Sequence, residues 1–236
     1  MHIFNSWTPG GGVLDWSGWE LILWTLFVTH ITILTVTIYL HRTVAHRGIT
    51  IHKGVEHFFR FWNWFTTGMN VKEWASIHRK HHAKVDTKDD PHSPVTFGLM
   101  SFGNLVAWIF YVGVSRYVEE SRNKNTLAEY GHNTPNDWLE RNLYTPHNYL
   151  GVGLLLGILN VTFFGFYGLL IWGVQALWIP VFAAGVINGV GHWYGYRNYA
   201  KDDPRYPNVA YSTNIVPVGI FIGGEELHNN HHASAT

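Results

Sequence analysis

Residues Leu21 to Leu40 read LILWTLFVTHITILTVTIYL and hold no Asp, Glu, Lys or Arg. Helical residues rise about 1.5 Å each, so a run of this length spans the roughly 30 Å of a bilayer's hydrocarbon core. The stretch predicts a transmembrane helix over about 20–40. Further on, Tyr149 to Val190 again lacks any acidic or basic side chain, and a Gly-rich break around Gly165 and Gly168 divides it. Two more spans folded as a hairpin, about 149–167 and 169–190, are the expectation. The soluble alternative, a pair of buried core helices, requires uncharged runs longer than such helices usually carry.

Basic residues set the orientation. Arg42, Arg47, Lys53 and Arg60 follow the first span, Arg141 precedes the hairpin, and Arg197, Lys201 and Arg205 follow it, while the hairpin tip has none. By the excess of Lys and Arg on cytoplasmic loops, segments 41–147 and 191–236 form a cytoplasmic cap. Within it, Val55 to Met69 reads as an interfacial helix, with a second from Leu99 to Val114. Met1 to Asp15 has no basic region or cleavage site of a signal peptide, so the first span stays in the membrane. Only one clear span precedes the first histidine cluster, which puts the N-terminus outside or starts a half-span at Val13.

Immediately after the first span stands HRTVAHR, with His41 and His46. Then come HRKHH, with His78, His81 and His82, and ELHNNHH, with His228, His231 and His232. With 16 His in 236 residues, the pattern His-x-x-His-His arises by accident only about 0.07 times in a chain of this size. On a helix, positions i, i+3 and i+4 share a face, so each triplet is expected to aim its three rings at one place. The spacing of five between His41 and His46 is not one helical face, and requires the helix end to bend. His192, in NGVGHWYGYRNY, follows the hairpin, with Asn188 one turn earlier on the same face.

The chain has no Cys and balances 16 basic against 16 acidic residues. Disulfides, thiolate zinc sites and iron–sulfur clusters are excluded, nothing favours nucleic acid, and any metal is held by nitrogen and oxygen. Nine histidines at cytoplasmic membrane ends exceed the roughly six strong positions of one ion and imply two.

These boxes, with the single His192, DDPHSP after the second box and GGEELHNNHH at the third, resemble the membrane-bound fatty-acid desaturases, in particular the stearoyl-CoA and bacterial acyl-lipid Δ9 branch, over nearly the whole chain. The resemblance implies an all-α integral membrane protein of three to four spans, a single domain over 1–236 whose cap holds a di-iron centre. It implies iron ligation by His41, His46, His78, His81, His82, His192, His228, His231 and His232, with Asn188 reaching one iron through a water. It implies O2-dependent insertion of a cis double bond, at Δ9, into a long saturated acyl chain carried as phospholipid or acyl-CoA, in a bacterial cytoplasmic membrane. No HPGG-type haem module is present, so two electrons come from a separate ferredoxin, cytochrome b5 or reductase. Relatives continue beyond the third box, so the chain is expected to be truncated four residues after His232.

Neutral imidazoles leave the metal charge uncompensated, so carboxylates are expected to orient the rings; Asp89, Asp90, Glu225 and Glu226 are nearest in sequence. His92 is expected as an orienting neighbour, and His30, eleven residues before His41, in the bundle interior. Trp74 and the Trp193, Tyr194, Tyr196 group flank the ligands. A di-iron hydroxylase shares the same boxes. A histidine-rich metal transporter would place ionisable groups along a mid-membrane path, and a haem electron carrier would use only one or two axial histidines.

Overall fold

A computed structural model describes residues 11–16, 18–98, 102–216 and 219–235. His2, most of Met1 to Asp15 and the start of the segment expected from Leu99 fall outside them. Among the described residues the chain is helical, with one isolated bridge between Tyr196 and Asn214 and no strand.

Two helices are long and apolar enough to cross a membrane, Gly18–Ala45 with 28 residues and Phe166–His192 with 27. Only 39% and 22% of their most apolar stretches are buried inside the protein, which removes the soluble-core alternative: Leu23, Phe27, Leu170 and Leu177 all point outward. An outward apolar surface on helices with charge only near their ends suits hydrocarbon, not water. Along the first helix Thr25, Thr29, Thr32 and Thr35 turn their hydroxyls back to carbonyls four residues earlier, at 2.7–2.9 Å. Each polar group is thereby satisfied without water.

The hairpin turns at Gly165, whose φ of 58° is open to glycine at little cost. Its first arm, Leu150–Phe164, is shorter than the expected 149–167, and the second runs on to His192. Fifteen residues at about 1.5 Å fall short of a full hydrocarbon core, so this arm crosses only part of it unaided. Gly168 permits the close approach of the arms, since a Cβ there would lie 2.2 Å from the Asn160 carbonyl oxygen. Asn160 Nδ2 donates to Gln175 Oε1 at 2.8 Å inside the hairpin, pairing two amides that would otherwise be stranded in apolar surroundings. No half-span begins at Val13: Val13 and Leu14 donate their backbone N–H groups to Thr162 and Phe163 at the hairpin tip.

Two helices follow the first span in the chain. Lys53–Thr67 starts at a His52 cap and ends at Gly68, in the left-handed conformation. Val71–Lys84 starts at Asn70, whose Oδ1 accepts from Lys72 and Glu73 N–H, as an N-cap should. Arg60, buried in the first of these, donates to Asp137 at 2.5 Å and to Glu140 at 3.0 Å. Asp137 is half-exposed and its share is screened, but Glu140 is buried. Arg60→Ala strands the Glu140 carboxylate and is expected to cost about 3 kcal/mol, read as a lowered thermal transition of the solubilised protein. An unchanged transition would contradict the assignment of Arg60 as the clamp.

Candidate metal centre

The first helix changes winding where it leaves the apolar layer: Thr35–Ala45 is π-helical, and His46 N–H donates to His41 O, five residues back, at 3.0 Å. In an α-helix residues five apart stand about 140° apart. The wider turn brings His41 and His46 onto one side, so the bend required by their spacing is a change of helix type, a device common at functional sites. The same change breaks the register back to His30, which faces outward rather than into the bundle.

Arg79, inside HRKHH, fixes this end in place. Its guanidinium donates to Val44 and Ala45 carbonyls, and to those of Tyr130 and His132, all within 2.9 Å. The freed carbonyls at a helix end are thereby satisfied by a cation, which the helix dipole also favours.

The nine histidines separate into two groups. His41, His46, His78, His82 and His231 form one; His81, His192, His228 and His232 form the other; within each, the ligand nitrogens lie within 4.8 Å of one another. The triplets do not aim three rings at one place. His78 and His82 turn to the first group and the intervening His81 to the second, while His228 and His232 turn to the second and His231 to the first. Positions i+3 and i+4 are about 100° apart around a helix, so a helix lying between two centres serves both.

Hydrogen bonding identifies which ring atoms face inward. Nδ1 of His81 meets Asp90 at 2.9 Å, Nδ1 of His192 meets Asp86 at 3.0 Å, Nδ1 of His41 meets Glu225 at 3.2 Å, and Nδ1 of His232 meets the Asn208 carbonyl at 3.0 Å. These partners accept only, so Nδ1 carries the proton and Nε2 presents a bare lone pair. Nε2 atoms then face one another at 2.8–3.1 Å, in the pairs His41 with His231, His46 with His78, His82 with His231, His192 with His228, and His228 with His232. His81 Nε2 is buried with no partner. Converging lone pairs in a buried space are what a cation satisfies, and the residues present fit a metal in each group.

Burial, reinforced by neighbouring imidazoles, pushes His46 down to about 3 and holds His78, His82, His228, His231 and His232 well below the usual histidine range. Neutral rings are the ligating form. His81 goes the other way: burial opposes its charge, but Asp90 and Asp86 outweigh it. Burial would also raise Asp86, Asp90 and Glu225, yet their histidine partners, with Arg42 beside Glu225, hold all three low and ionised.

In metal-free protein these six histidines, and His92, which burial lowers to about 3, bind protons more readily unfolded than folded. Stability is therefore expected to fall as pH drops below about 6.5 and to go on falling toward their folded values, with His81 the one histidine opposing. Thermal unfolding of chelator-treated protein between pH 7.5 and 5 tests this; a flat profile would contradict it.

Of the expected carboxylates, Asp90 and Glu225 stand on rings. Asp89 is in solvent, and Glu226 lies against Gly219; each is the chain neighbour of a residue that turns inward, and points away for that reason. Asp86 was not expected. It sits at φ 56° and accepts from His192, from Tyr211 N–H at 3.0 Å and from Ser93 Oγ at 2.6 Å, tying together three segments distant in sequence. A second unforeseen device is Asn229, buried in HNNHH. Its Oδ1 accepts from Asn198 and Tyr199 N–H, and its Nδ2 donates to Tyr199 and Ser212 carbonyls. A helix as short as His228–Ala233 is marginal alone, and GYRNY holds it through these bonds. His92 is buried with its ring 4.4 Å from that of His81.

A cavity of about 220 Å³ has Met69, Trp108, Ile179 and Asn188 in its wall. A smaller one of about 40 Å³ touches His41, His78 and His228. Trp74, Ala183 and Asn188 belong to both walls, and the Trp74 ring stacks on His78 at 4.8 Å. Tyr194 and Tyr196 are exposed and line neither.

Fold and site together define a helical membrane protein built around two nests of buried and half-buried imidazoles. A family model for fatty acid desaturase matches residues 17–236, and the protein belongs to that family. It is 30% identical over 219 residues to an acyl-CoA 5-desaturase of Anemone leveillei, covering 89% of this chain and 62% of that one. It is 29% identical over 218 residues to Delta-9 acyl-lipid desaturase 1 of Arabidopsis thaliana, covering 91% and 65%. An acyl-CoA C20 Delta5-desaturase of Anemone leveillei matches 99% of the chain at 29% identity. The chain thus spans a little under two thirds of the first two relatives' length.

Proposed function

We propose that the protein, acting as one domain over residues 1–236, is an O2-dependent oxidoreductase that inserts a cis double bond at Δ9 into a long saturated acyl chain. The observation that carries the reading is the sorting of nine buried or half-buried imidazoles into groups of five and four, beside a mainly apolar cavity that shares Trp74, Ala183 and Asn188 with a smaller one touching His41, His78 and His228. His41, His46, His78, His82 and His231 would hold one iron; His81, His192, His228 and His232 would hold the other, with Asn188 contributing through a water. When bound, the irons supply the O2 activation that an unactivated C–H bond requires. Asp86, Asp90 and Glu225 keep the protons on Nδ1 and the rings aimed. The cavity wall, with Trp74 at its inner end, holds one stretch of a methylene chain beside the centres and keeps water away.

Relatives named for Delta-9 acyl-lipid and for acyl-CoA 5-desaturation bracket the positional choice. Electrons come from a separate carrier protein. The basic residues flanking the spans support a site on the cytoplasmic side through the positive-inside tendency; a bacterial membrane rests only on the branch resembled, the relatives above being plant proteins. Lipid analysis of a desaturase-deficient host expressing the protein tests the reading. New cis-monoenes with the bond at C9 are expected; hydroxylated chains would favour the oxygenase alternative, and unaltered saturated lipid would reject both.

Asn188 stands in the wall of both cavities, and its amide is too weak a donor to secure a metal but suited to hold a water. Asn188→Ala is expected to keep near-normal iron and lose most turnover, whereas His192→Ala loses iron as well. Wild-type turnover in Asn188→Ala would reject the water-holding role.

A further inference from the structure

The larger cavity has a mouth as well as an inner end. Two residues of its wall are exposed, Tyr149 and Ala176. Ala176 lies on the apolar helix Phe166–His192, between the outward-facing Val174 and Leu177, and Tyr149 immediately precedes the other arm of the hairpin. The rim therefore belongs to the surface that faces hydrocarbon.

The chemistry of the wall agrees. Among the described residues lining the cavity there is no Lys or Arg, and the one formally charged group is Glu73, whose carboxyl burial raises despite Arg122. Near the mouth the polar groups are uncharged, Thr67 and Asn148 among them. An acyl ester already in the bilayer has its chain at the hydrocarbon-facing rim, and the wall beyond it, with Met69, Trp108, Ile179 and Ala184, is mainly apolar.

From this rim and wall we infer that the acyl chain enters sideways from the bilayer, still esterified to a membrane glycerolipid, through an opening bounded by Tyr149 and Ala176. The inference rests on the desaturase reading and names its substrate class. The chain threads past Met69 and Trp108 toward Trp74 and Asn188, while the glycerol and head group stay outside at the membrane surface.

The test uses the full chain in liposomes of diphytanoyl phosphatidylcholine, with a one-electron donor protein and its reductase. Distearoyl phosphatidylcholine in the bilayer is compared with stearoyl-CoA added from water. Monoene on intact phosphatidylcholine is expected at least tenfold faster than on stearoyl-CoA. Ala176→Trp, which plugs the rim, should cut lipid conversion at least tenfold with bound iron unchanged; Ala176→Leu, a smaller plug, should give an intermediate loss and guards against misfolding of the Trp variant. Leu170→Trp, outward-facing and off the wall, should convert lipid at the wild-type rate. Equal or faster conversion of stearoyl-CoA, or wild-type lipid conversion by both Ala176 variants, would overturn lateral entry. No monoene in either arm from iron-loaded protein would instead reject the desaturase reading beneath it.

Discussion

Replacing His81 by Ala is expected to abolish double-bond formation and to lower bound iron from two per chain to about one. His81 is completely buried, its Nδ1 is held by Asp90, and its Nε2 has no partner within the protein. It is one of only four imidazoles in its group, and His92, whose ring lies 4.4 Å from that of His81, belongs to neither group of imidazoles. His82, the next residue, faces the other group, so His82→Ala is expected to lose the other iron with the same loss of activity. Mössbauer spectra of the two variants should then be complementary, each retaining the signal the other lacks. Identical residual spectra would show that the five and four division is wrong, even if both variants were inactive. His132→Ala, at an exposed residue outside both groups whose backbone carbonyl, not its ring, meets Arg79, should leave iron and turnover unchanged.

The second large effect is expected at residues that touch no metal. Asp90→Ala and Asp86→Ala each remove the acceptor that fixes a ring's tautomer and aim, and loss of such a partner typically costs 10–100-fold in metal affinity. Asp86→Ala should be the more damaging, because the same carboxylate also holds Tyr211 N–H and Ser93 Oγ. Asp86→Asn keeps an oxygen acceptor for His192 while removing the charge, and should recover much of the affinity. Competition with a graded chelator measures all three. Asp86→Ala with wild-type iron affinity would mean that His192 is held by packing alone.

The parts of this architecture that composition controls could be read directly. A stretch without charge, such as Leu21 to Leu40, has few environments open to it, and three histidine boxes at membrane ends have few purposes. What depends on how helices approach one another could not be read. Spacing places His78, His81 and His82 on neighbouring faces, but only the location of the second centre decides that His81 turns away from its neighbours. The His41 and His46 pair looked discordant because α-helical geometry was assumed; the π-helical winding of Thr35–Ala45 resolves it and also displaces His30 outward. Nearness in sequence selected four acidic residues, of which two, Asp90 and Glu225, sit on loops that turn them onto ring nitrogens. Asp86 was the carboxylate left out, although it follows the second box by only four residues. Arg79 and Asn229 lay in plain sight inside the boxes, and carry no metal-binding signal because their work is on backbone groups.

Iron content is the most direct test of the central claim. Full-length protein, purified from membranes and reconstituted anaerobically with ferrous iron, should retain two irons per chain after gel filtration, measured by mass spectrometry of the metal against quantitative amino-acid analysis. Two per chain is the predicted result; one or none, in protein that is folded and in the membrane fraction, would contradict it.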